Sequence, residues 1–384
     1  MINVAYLDYS HTFAGAEQVL YTIISNIDRT KFNPILVFPY PMSHHTRYDD
    51  LDCKKIDLNT SLKWWMGSDR WSHPLKGTDF IARTVWGIQL AKVLKENKVD
   101  ILHVNLLRPD SLMWLLPVKK VGIKIIGHFR SQALEWIPSP AVQRCCDLVL
   151  CVSHYSRNRF LTKGNFVTSK VLYDSIDVTK FNCTQTKDEA KRKLGFSKDV
   201  YLISSVGQLS RHKGHDNAIR AFYNIADKYP NAILYIAGGG VDLEYLQKLA
   251  SKDKEIATRI CFTGKQVSNI QEIYKASDLV LSLTKVGEAF GLVPYEATLC
   301  EANFIGPNVG AITEFVVHRQ NGLMVNTNDV EAITAEIEWS ILHPEECRKM
   351  IFQLQKIIHQ EITPMIMARN LMNEYSLLIN GTIG

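Results

Sequence analysis

The sequence predicts an α/β protein of two domains, each an open parallel sheet with helices wound on both faces. Its length of 384 residues corresponds to two domains at roughly 100–200 residues each. Short apolar segments alternate with longer amphipathic segments along the whole chain, as in consecutive βαβ units. A polar stretch at 182–199 interrupts this alternation, which then starts again. We therefore expect two doubly wound sheets, formed one after the other.

The individual elements follow from the same pattern. N-terminal strands are expected at 3–8, 33–38, 101–104, 124–128, 148–152 and 169–173, and C-terminal strands at 201–206, 232–237, 260–263, 279–282 and 303–306. Helices are expected between them, including those at 16–27, 79–97 and 215–228. The predicted domains are residues 1–182 and 199–360. Residues 361–384 are expected to form a helix that packs back on the N-terminal domain.

The composition excludes several classes of protein. With 46% hydrophobic and 22% charged residues, the chain is globular and neither disordered nor fibrous. Lysines such as Lys119, Lys120 and Lys124 interrupt the apolar runs, and none approaches the roughly 18–20 residues that span a bilayer. The N-terminus enters an apolar strand without a basic leader, which predicts a cytoplasmic protein.

Cysteine spacing and charge narrow the choice further. The eight cysteines include no C-x-x-C pair and no cluster with histidine at zinc spacing, so free thiols are expected. Residues 1–190 carry 24 Lys and Arg against 18 Asp and Glu, a balance of +6. Residues 191–384 carry 20 against 21, a balance of −1. The basic character is therefore N-terminal. No nucleic-acid partner is expected.

Two glutamates and a glycine mark the most informative segment, residues 286–297. Glu288 is expected in the loop after the strand at 279–282, and Glu296 about two turns into the next helix. Gly291 would let a ligand approach the backbone at the helix start, where free N–H groups attract anionic oxygens. The alternative is an ordinary loop with an acidic residue near a helix N-terminus.

Arg211 and Lys213 form a second motif, in the loop after the strand at 201–206. They lie between Gly207 and Gly214, so a guanidinium and an ammonium group would reach the same strand end. These two charges suit a diphosphate. Either residue alone would be interpreted as a solvated surface charge, but the pair between two glycines favours a binding site.

Three further segments are weaker signals. Residues 11–17 join the first strand to the first helix, and residues 238–240 are three glycines after the strand at 232–237. Neither is a dinucleotide fingerprint, because no G-x-G-x-x-G follows the first strand of either half. Asp50 and Asp52 form a D-x-D triplet that could suggest a metal. It lies in a polar loop, and we interpret it as solvated surface.

Together these residues resemble the retaining glycosyltransferases of family 4, which have the GT-B fold. The matching features occur in the family's order over most of the chain. They are Gly15-Ala16-Glu17, the strands that end at His103 and His128, Cys151-Val152-Ser153, residues 171–177 with Phe181, Gly207 with residues 211–214, residues 237–240, Phe262-Thr263-Gly264, residues 274–278, the E-x7-E pair Glu288 and Glu296, and residues 310–314 with Asn321-Gly322. The E-x7-E pair with R-x-K-G upstream is the specific part of this resemblance.

The resemblance implies two Rossmann-like domains facing across a cleft, and transfer of a sugar from a nucleoside diphosphate, expected to be UDP. It implies the diphosphate on Arg211 and Lys213 and the ribose on Glu296. The implied donor-binding residues are Gly15, Arg211, Lys213, Gly264, Glu288, Ala289, Phe290, Gly291, Leu292 and Glu296, and the implied catalytic residues are Glu288, His128, Arg211 and Lys213. The family needs no metal, so no metal ion or other cofactor is expected.

The acceptor is less constrained. The expectation is a saccharide, carried on a lipid, in the assembly of a surface polysaccharide or O-antigen. The aromatic and basic segment 62–71 contains Trp64, Trp65 and Trp71. This segment suits an anionic membrane at the inner face of the plasma membrane, or else packs under a long loop. Two other functions stay open for the chain: a sugar-nucleotide epimerase or phosphorylase, and a non-catalytic carbohydrate-binding scaffold.

Overall fold

The computed structural model describes residues 1–10, 15–39, 43–58, 77–264 and 269–381. Residues 11–14 and the tryptophan-rich segment 62–71 lie outside these ranges. By its internal contacts the chain divides into two compact units. The first unit comprises Met1–Ser175 and Pro364–Gly384, and the second unit comprises Ile176–Thr363.

The division falls after Ser175, whereas the sequence places the boundary at 182–199. The intervening residues pack on the second unit. Phe181 is buried, with its ring 6.2 Å from that of Tyr274. The Lys191 side chain is 5% exposed, and its ammonium group pairs with Asp278 at 2.7 Å. A polar composition is therefore a poor guide to the boundary, because lysines can be buried when they are paired.

The first unit contains one parallel sheet in its described part. Its strands are β1 (Ile2–Leu7), β2 (Phe32–Phe38), β3 (Lys54–Asp57), β4 (Ile101–Val104), β5 (Lys124–Phe129), β6 (Leu148–Cys151) and β7 (Ser169–Val171). The order across the sheet is β3-β2-β1-β4-β5-β6-β7. Its helices are α1 (Gly15–Asn26), α2 (Gly77–Glu96), α3 (Leu112–Lys120), α4 (Pro140–Cys145), α5 (His154–Leu161) and the C-terminal α14 (Pro364–Ile379).

The second unit repeats this arrangement with its own parallel sheet. Its described strands are β8 (Tyr201–Val206), β9 (Ala232–Ala237), β10 (Ile260–Phe262), β11 (Leu279–Leu281), β12 (Asn303–Pro307) and β13 (Leu323–Val325), in the order β10-β9-β8-β11-β12-β13. Its helices are α6 (Lys187–Lys193), α7 (His215–Ala226), α8 (Leu243–Ala250), α9 (Lys254–Ala257), α10 (Ile270–Ala276), α11 (Val293–Leu299), α12 (Val330–Leu342) and α13 (Pro344–Glu361). The predicted fold class of two doubly wound parallel sheets is confirmed.

Both faces of the first sheet are buried, because successive side chains of a strand point to opposite sides. In β1, Ala5 and Leu7 join one core with residues of α2 and α3. Val4 and Tyr6 join the other core with residues of α1 and α14. The C-terminal helix therefore covers the same face as the first helix, and this brings Tyr375 into the core beside the strands.

Sequence analysis misses two strands at sheet edges. β3 reads Lys-Lys-Ile-Asp and is mostly exposed, so it lacks the apolar run that identifies the other strands. β13 is buried but only three residues long. Tertiary pairing creates both strands, β3 beside β2 and β13 beside β12.

Two other expectations concern the whole chain. All eight cysteines are free thiols, as predicted, and five of them are buried. Among the described residues, no helix is both long enough and apolar enough to cross a bilayer.

The strand order fixes where ligands should bind. It reverses between β1 and β4 in the first unit and between β8 and β11 in the second. Open parallel sheets bind ligands at the carboxyl ends of the strands beside such a reversal. Three of the segments predicted to bind substrate follow β1, β8 and β11 and so start at a reversal point, whereas Gly264 follows the edge strand β10 and His128 lies on β5.

Candidate active site

The loop after β8 is held against the end of β11. Arg211–Lys213 form a single 3-10 turn that ends at Gly214, whose φ is +75°. A Cβ at Gly214 would lie 1.9 Å from the carbonyl oxygen of Leu283. Only glycine fits this approach, so the R-x-K-G motif sets the backbone path that presents Lys213.

The loop after β11 is fixed by a second glycine. A Cβ at Gly310 would lie 2.7 Å from the backbone nitrogen of Glu288, and Gly310 has a φ of +95°. The Ala311 N–H donates to the Glu288 carbonyl at 3.1 Å. The segment after β12 therefore braces the backbone of Glu288 from behind.

Lys213 and Glu288 form an ion pair at the reversal point of the second sheet. Their side chains are 31% and 21% exposed, so the pair stays open to solvent or to a ligand. Arg211 takes a different course. Its side chain is 77% exposed and lies 3.9 Å from Asp242, with the guanidinium 4.9 Å from the centre of the Tyr245 ring. The two cations share a loop but have separate partners.

Glu296 occupies an environment unlike that of Glu288. It accepts a hydrogen bond from the Tyr274 hydroxyl of α10 at 2.8 Å. Burial raises the pKa of Glu296 above its ordinary value, while the Tyr274 hydrogen bond and the Lys180 charge oppose this shift. The carboxylate is therefore a partly dehydrated acceptor with one of its oxygens already oriented.

The position of Glu296 on its helix corrects the sequence-based expectation. The expectation places it about two turns into the helix, but α11 begins only at Val293, so Glu296 lies in the first turn. The helix starts late because Gly291 has a φ of +83° and Pro294 occupies the first helical turn. Residues 289–292 therefore form an irregular loop segment that precedes α11.

A small recess lies beside these residues, entirely within the second unit. Its lining comprises Ser282, Glu288, Phe290, Gly291, Pro294, Pro307, Val309 and Ile312. Ala289 and Phe290 are buried, while Gly291 and Leu292 are partly exposed. Of the predicted donor residues, the structure thus brings Glu288, Phe290 and Gly291 to one recess.

Two further glycine segments pack close together at the carboxyl ends of β8 and β9. A Cβ at Gly238 would lie 1.9 Å from the carbonyl oxygen of Gly207. Gly264 follows β10 with a φ of +68° and open space around its Cα. Gly238 therefore allows the two loop backbones to approach each other, whereas Gly264 has open space beside its backbone.

In the first unit, His128 lies near the carboxyl end of β5 in a buried polar network. Its Nδ1 is 3.0 Å from Nη2 of Arg130 and 3.2 Å from Nε2 of His103. Arg130 is itself paired with Asp174. Burial and the Arg130 charge hold the pKa of His128 well below its ordinary value. Its Nε2 is buried and has no hydrogen-bond partner among the described residues.

The other N-terminal candidates are placed as follows. Gly15 is the first residue of α1, with nothing within 4 Å of an added Cβ. Asp50 accepts a hydrogen bond from the Tyr21 hydroxyl at 2.5 Å. Asp52 is exposed. Within the described ranges no group of three or more His, Cys, Asp or Glu side chains could hold a metal ion.

Comparison with known proteins identifies the chemistry of this arrangement. Residues 186–356, all in the second unit, match the family described as Glycosyl transferases group 1. The chain is 27% identical over 273 residues to the N-acetyl-alpha-D-glucosaminyl L-malate synthase of Bacillus anthracis, covering 68% of this chain and 70% of that protein. It is 23% identical over 277 residues to a GDP-mannose-dependent phosphatidylinositol monomannoside mannosyltransferase of Mycolicibacterium smegmatis, covering 68% and 72%.

Solved structures extend the likeness to the whole fold. Anabaena HepE, solved in complex with UDP, superposes with a TM-score of 0.79 at 18% identity, covering 98% of this chain and 100% of that chain. A glycosyltransferase from Rickettsia africae gives a TM-score of 0.80 at 16% identity, covering 98% of both. The family match and the relatives support a glycosyltransferase, and the fold is the GT-B fold of these solved structures. The predictions of this family and of a glycosyltransferase enzyme are confirmed, so a non-catalytic scaffold is set aside.

Sequence reasoning misses several residues that shape the site of this glycosyltransferase. Tyr274 lies in a segment that resembles the family, but nothing in the sequence connects it to Glu296. Arg130 follows His128 by two residues, directly after the end of β5, and an i, i+2 spacing in extended chain could have indicated contact. Its partner Asp174 comes from a distant loop, and only the tertiary structure brings the two together.

Proposed function

We propose that this glycosyltransferase moves a sugar from a nucleoside diphosphate, UDP in particular, to a hydroxyl of a lipid-linked saccharide acceptor, with retention of anomeric configuration. The observation that carries the proposal is the Lys213–Glu288 pair, open to solvent at the reversal point of the second sheet. An ammonium group there can move from its carboxylate partner to a diphosphate.

The donor would bind to the second unit through three kinds of contact. Lys213 and Arg211 would neutralise the diphosphate. The Arg211 side chain is long and 77% exposed, so it can reach a bound ligand. Glu296 would accept hydrogen bonds from the ribose, for which its Tyr274-oriented carboxylate is suited. Glu288 and the backbone of residues 289–292 would face the sugar, and Gly264 and Gly15 would permit close approach to the nucleotide.

Charge development sets the roles in the reaction. When the bond from the sugar to the phosphate breaks, positive charge develops on the sugar ring and negative charge on the leaving diphosphate. Lys213 and Arg211 would stabilise the diphosphate, and losing one such contact should cost about 2.7–4 kcal/mol in the barrier. The acceptor hydroxyl would attack from the face that the diphosphate leaves, and a diphosphate oxygen would take its proton. No protein nucleophile and no metal ion take part in this scheme.

His128 would contribute from the first unit. Its ring lies at the end of a strand, is kept neutral by burial and the Arg130 charge, and has an unpartnered Nε2 among the described residues. A neutral imidazole N–H suits a hydroxyl oxygen of the transferred sugar, because it donates without competing for the diphosphate.

A second recess in the first unit offers a surface for the saccharide acceptor. Its lining comprises Leu106, Leu107, Arg108, Arg130, Ser131 and Trp136. The Arg108 guanidinium lies 5.2 Å from the centre of the Trp136 ring, which is 40% exposed. Flat aromatic surface with a few polar groups is typical of small-molecule sites.

The outer surface of α2 supports a membrane location for the acceptor. Ile81, Val85 and Ile88 are exposed by 64%, 43% and 56%, at spacings that place them on one side of the helix. Lys92 and Lys95 continue the same side and are exposed. Apolar residues beside lysines suit the interface of an anionic bilayer, which would attract each lysine by about 1 kcal/mol.

The donor is tested by thermal shift with UDP-, GDP-, ADP- and dTDP-sugars. The largest stabilisation is expected with a UDP-sugar. Because one relative is GDP-mannose-dependent, a larger shift with GDP-mannose would correct the nucleotide while preserving the reaction class. Transfer should persist in excess EDTA, and loss that Mn²⁺ restores would refute metal independence. Turnover of the donor to an isomeric sugar nucleotide without acceptor would support the epimerase instead.

The membrane proposal is tested by co-sedimentation with liposomes of phosphatidylglycerol or phosphatidylcholine. We expect binding to the anionic vesicles only, weakening with salt. A double Ile81→Ser, Ile88→Ser variant should bind less. A Val317→Ser, Leu342→Ser variant, which changes exposed apolar residues of the second unit, is the matched control. Equal failure to bind both vesicle types at low salt would favour a soluble acceptor.

A further inference from the structure

Two cysteine side chains meet in the second unit, although 117 positions separate them in the sequence. Sγ of Cys183 lies 3.5 Å from Sγ of Cys300. Cys183 belongs to an irregular segment before α6, and Cys300 is the residue that ends α11. The first turn of α11 carries Glu296. The two thiols therefore connect an irregular segment to the helix of a predicted donor-binding residue.

The two sulfurs are close enough to form a disulfide with a small movement. Disulfide sulfurs lie about 2.05 Å apart, so this pair would have to approach by about 1.5 Å. Cys300 is fully buried at the end of a helix, whereas Cys183 is partly exposed and lies outside any helix or strand. We therefore expect the approach to move Cys183 and its neighbours more than α11.

Exposure decides which thiol an oxidant reaches first. Burial raises the pKa of the Cys300 thiol above its ordinary value, with a further contribution from the neighbouring Cys183. Cys300 therefore keeps its proton and is shielded from solvent. Cys183 is partly exposed, so a small oxidant can reach its sulfur. The reaction is expected to begin at Cys183.

The reaction balances with hydrogen peroxide as the oxidant. The Cys183 thiolate attacks one peroxide oxygen, the O–O bond breaks, and hydroxide leaves with the thiol proton as water, so that Cys183 becomes a sulfenic acid. The Cys300 sulfur then attacks the Cys183 sulfur. The S–S bond forms, the S–O bond breaks, and the leaving hydroxide takes the Cys300 proton as a second water. Two thiols thus lose two electrons and two protons, and a dithiol reductant reverses the change.

The cysteine pair adjoins the contacts that orient Glu296. The Cys300 thiol donates to the Phe181 carbonyl at 3.5 Å. The Phe181 ring is buried against the Tyr274 ring, and the Tyr274 hydroxyl donates to Glu296 at 2.8 Å. Oxidation would remove the Cys300 proton and draw Cys183 inward, and both changes act on the segment that contains Phe181. Tyr274 and the Glu296 carboxylate are then expected to shift.

We propose that Cys183 and Cys300 form a redox-sensitive site, at which oxidation produces a reversible disulfide that weakens nucleotide binding to the second unit. The effect on the nucleotide rests on the proposed contact between Glu296 and the ribose. The disulfide itself rests on the contact between the two sulfurs. In a reducing compartment, disulfides are typically transient and redox-sensing, which agrees with a pair of free thiols in contact.

A purely structural role for the two cysteines makes different predictions. If the thiols only fill space beside α11, a peroxide should leave them unlinked or should modify the exposed Cys183 alone. UDP affinity should then not depend on a bond between them. If they form the proposed site, the linked species should appear first, and UDP affinity should follow its formation and its reduction.

The first measurement is a mass spectrum of the wild-type protein after brief treatment with hydrogen peroxide. We expect a linked peptide that contains Cys183 and Cys300, lighter by two hydrogen atoms than the two separate peptides, and dithiothreitol should separate them. Cys183→Ser should give no such peptide. Cys261→Ser, which changes another partly exposed thiol of the second unit, is the matched control and should still give it.

The second measurement is calorimetric titration of UDP into reduced and oxidised protein. Oxidised wild-type protein should bind UDP roughly three- to tenfold more weakly than reduced protein, as when one hydrogen bond is disturbed. Cys261→Ser should show the same loss, whereas Cys183→Ser should bind UDP equally before and after treatment. Dithiothreitol should restore the affinity of the wild type, which distinguishes the disulfide from irreversible oxidation.

Three outcomes would overturn the proposal. The first is peroxide-treated wild type without the linked peptide. The second is linked protein whose UDP affinity is unchanged, and the third is an equal loss of affinity in treated Cys183→Ser. Failure of the proposed function is separate, because it would appear as reduced wild-type protein that does not bind UDP, whether or not the linked peptide forms after oxidation.

Discussion

Each unit has its own parallel sheet of the same topology, and the two sheets differ in the chemistry at the carboxyl ends of their strands. Both place a first strand beside a fourth, with parallel strands throughout. In the second unit the loops after these strands present an accessible ion pair, Lys213 with Glu288. In the first unit the neighbouring strands β4 and β5 hold a buried network of His103, His128 and Arg130, in which the Arg130 side chain is only 5% exposed.

Burial explains this difference. Lys213 and Glu288 remain 31% and 21% exposed, so water stabilises both charges until a ligand replaces it. His128 is fully buried, and there a charged imidazolium would be unfavourable. The same scaffold thus provides cations suited to a diphosphate in one unit and a neutral donor suited to a hydroxyl in the other.

The largest effect is expected when the accessible ion pair is broken. Lys213→Met should lower turnover roughly 100- to 1000-fold, because a cation aimed at the leaving diphosphate is lost. Glu288→Ala should also abolish or severely reduce transfer. Steady-state kinetics on folded protein is the measurement. Lys228→Met, which breaks the exposed Lys228–Glu338 pair, is the control and should leave turnover unchanged. Near-normal turnover in Lys213→Met would show that Lys213 does not stabilise the leaving diphosphate.

The next effect concerns the backbone that presents Lys213. Gly214→Ala should lower the free energy of unfolding by about 3 kcal/mol or more, because it combines a left-handed backbone with a clash against Leu283. Gly264→Ala shares the positive φ but has open space, and should cost about 1–2 kcal/mol. Chemical denaturation measures both. Equal losses would show that the close approach at Gly214 contributes nothing.

A smaller effect tests the neutral network of the first unit. Folded His103 stays neutral down to a pKa of about 3, whereas the unfolded residue takes a proton near 6.5. Between these values the unfolded state binds more protons, so the free energy of unfolding falls on acidification, by at most about 1.4 kcal/mol per pH unit for this residue. The stability difference between wild type and His103→Gln, from urea unfolding at pH 7 and pH 5, should therefore shrink at pH 5. A constant difference would contradict burial of a neutral His103.

The smallest effect concerns Glu296. Its pKa is already raised by burial, and the Tyr274 hydroxyl opposes that rise. Tyr274→Phe should raise the pKa further, so UDP affinity should weaken at a higher pH on acidification than in the wild type. At neutral pH the loss should be about tenfold or less, as for one hydrogen bond. Calorimetric titration of UDP binding from pH 8 to pH 5 checks this. If the pH dependence of UDP affinity is unchanged in the variant, Glu296 does not contact the nucleotide.

The sequence alone determines most of the fold, because its signals are local. Apolar strands such as β4 and β6 are buried on both faces, so each is recognised in the sequence as a short hydrophobic run. Glycines such as Gly214 mark a backbone that no other residue fits. The motif residues Lys213 and Glu288 are likewise recognisable, because each lies in the loop that follows a predicted strand.

Only the tertiary structure decides which of these residues meet. The ion pair between Lys213 and Glu288 spans 75 positions, and the contact between His103 and Tyr375 spans 272. Periodicity reports neighbours three or four residues apart on a helix and two apart on a strand, so it contains no information about such pairs. The start of α11 is a further case, since the φ of Gly291 and the packing around it set the helix start that places Glu296 in the first turn. The sequence identifies the residue types. Their protonation, exposure and partners depend on a fold that brings distant strand ends together.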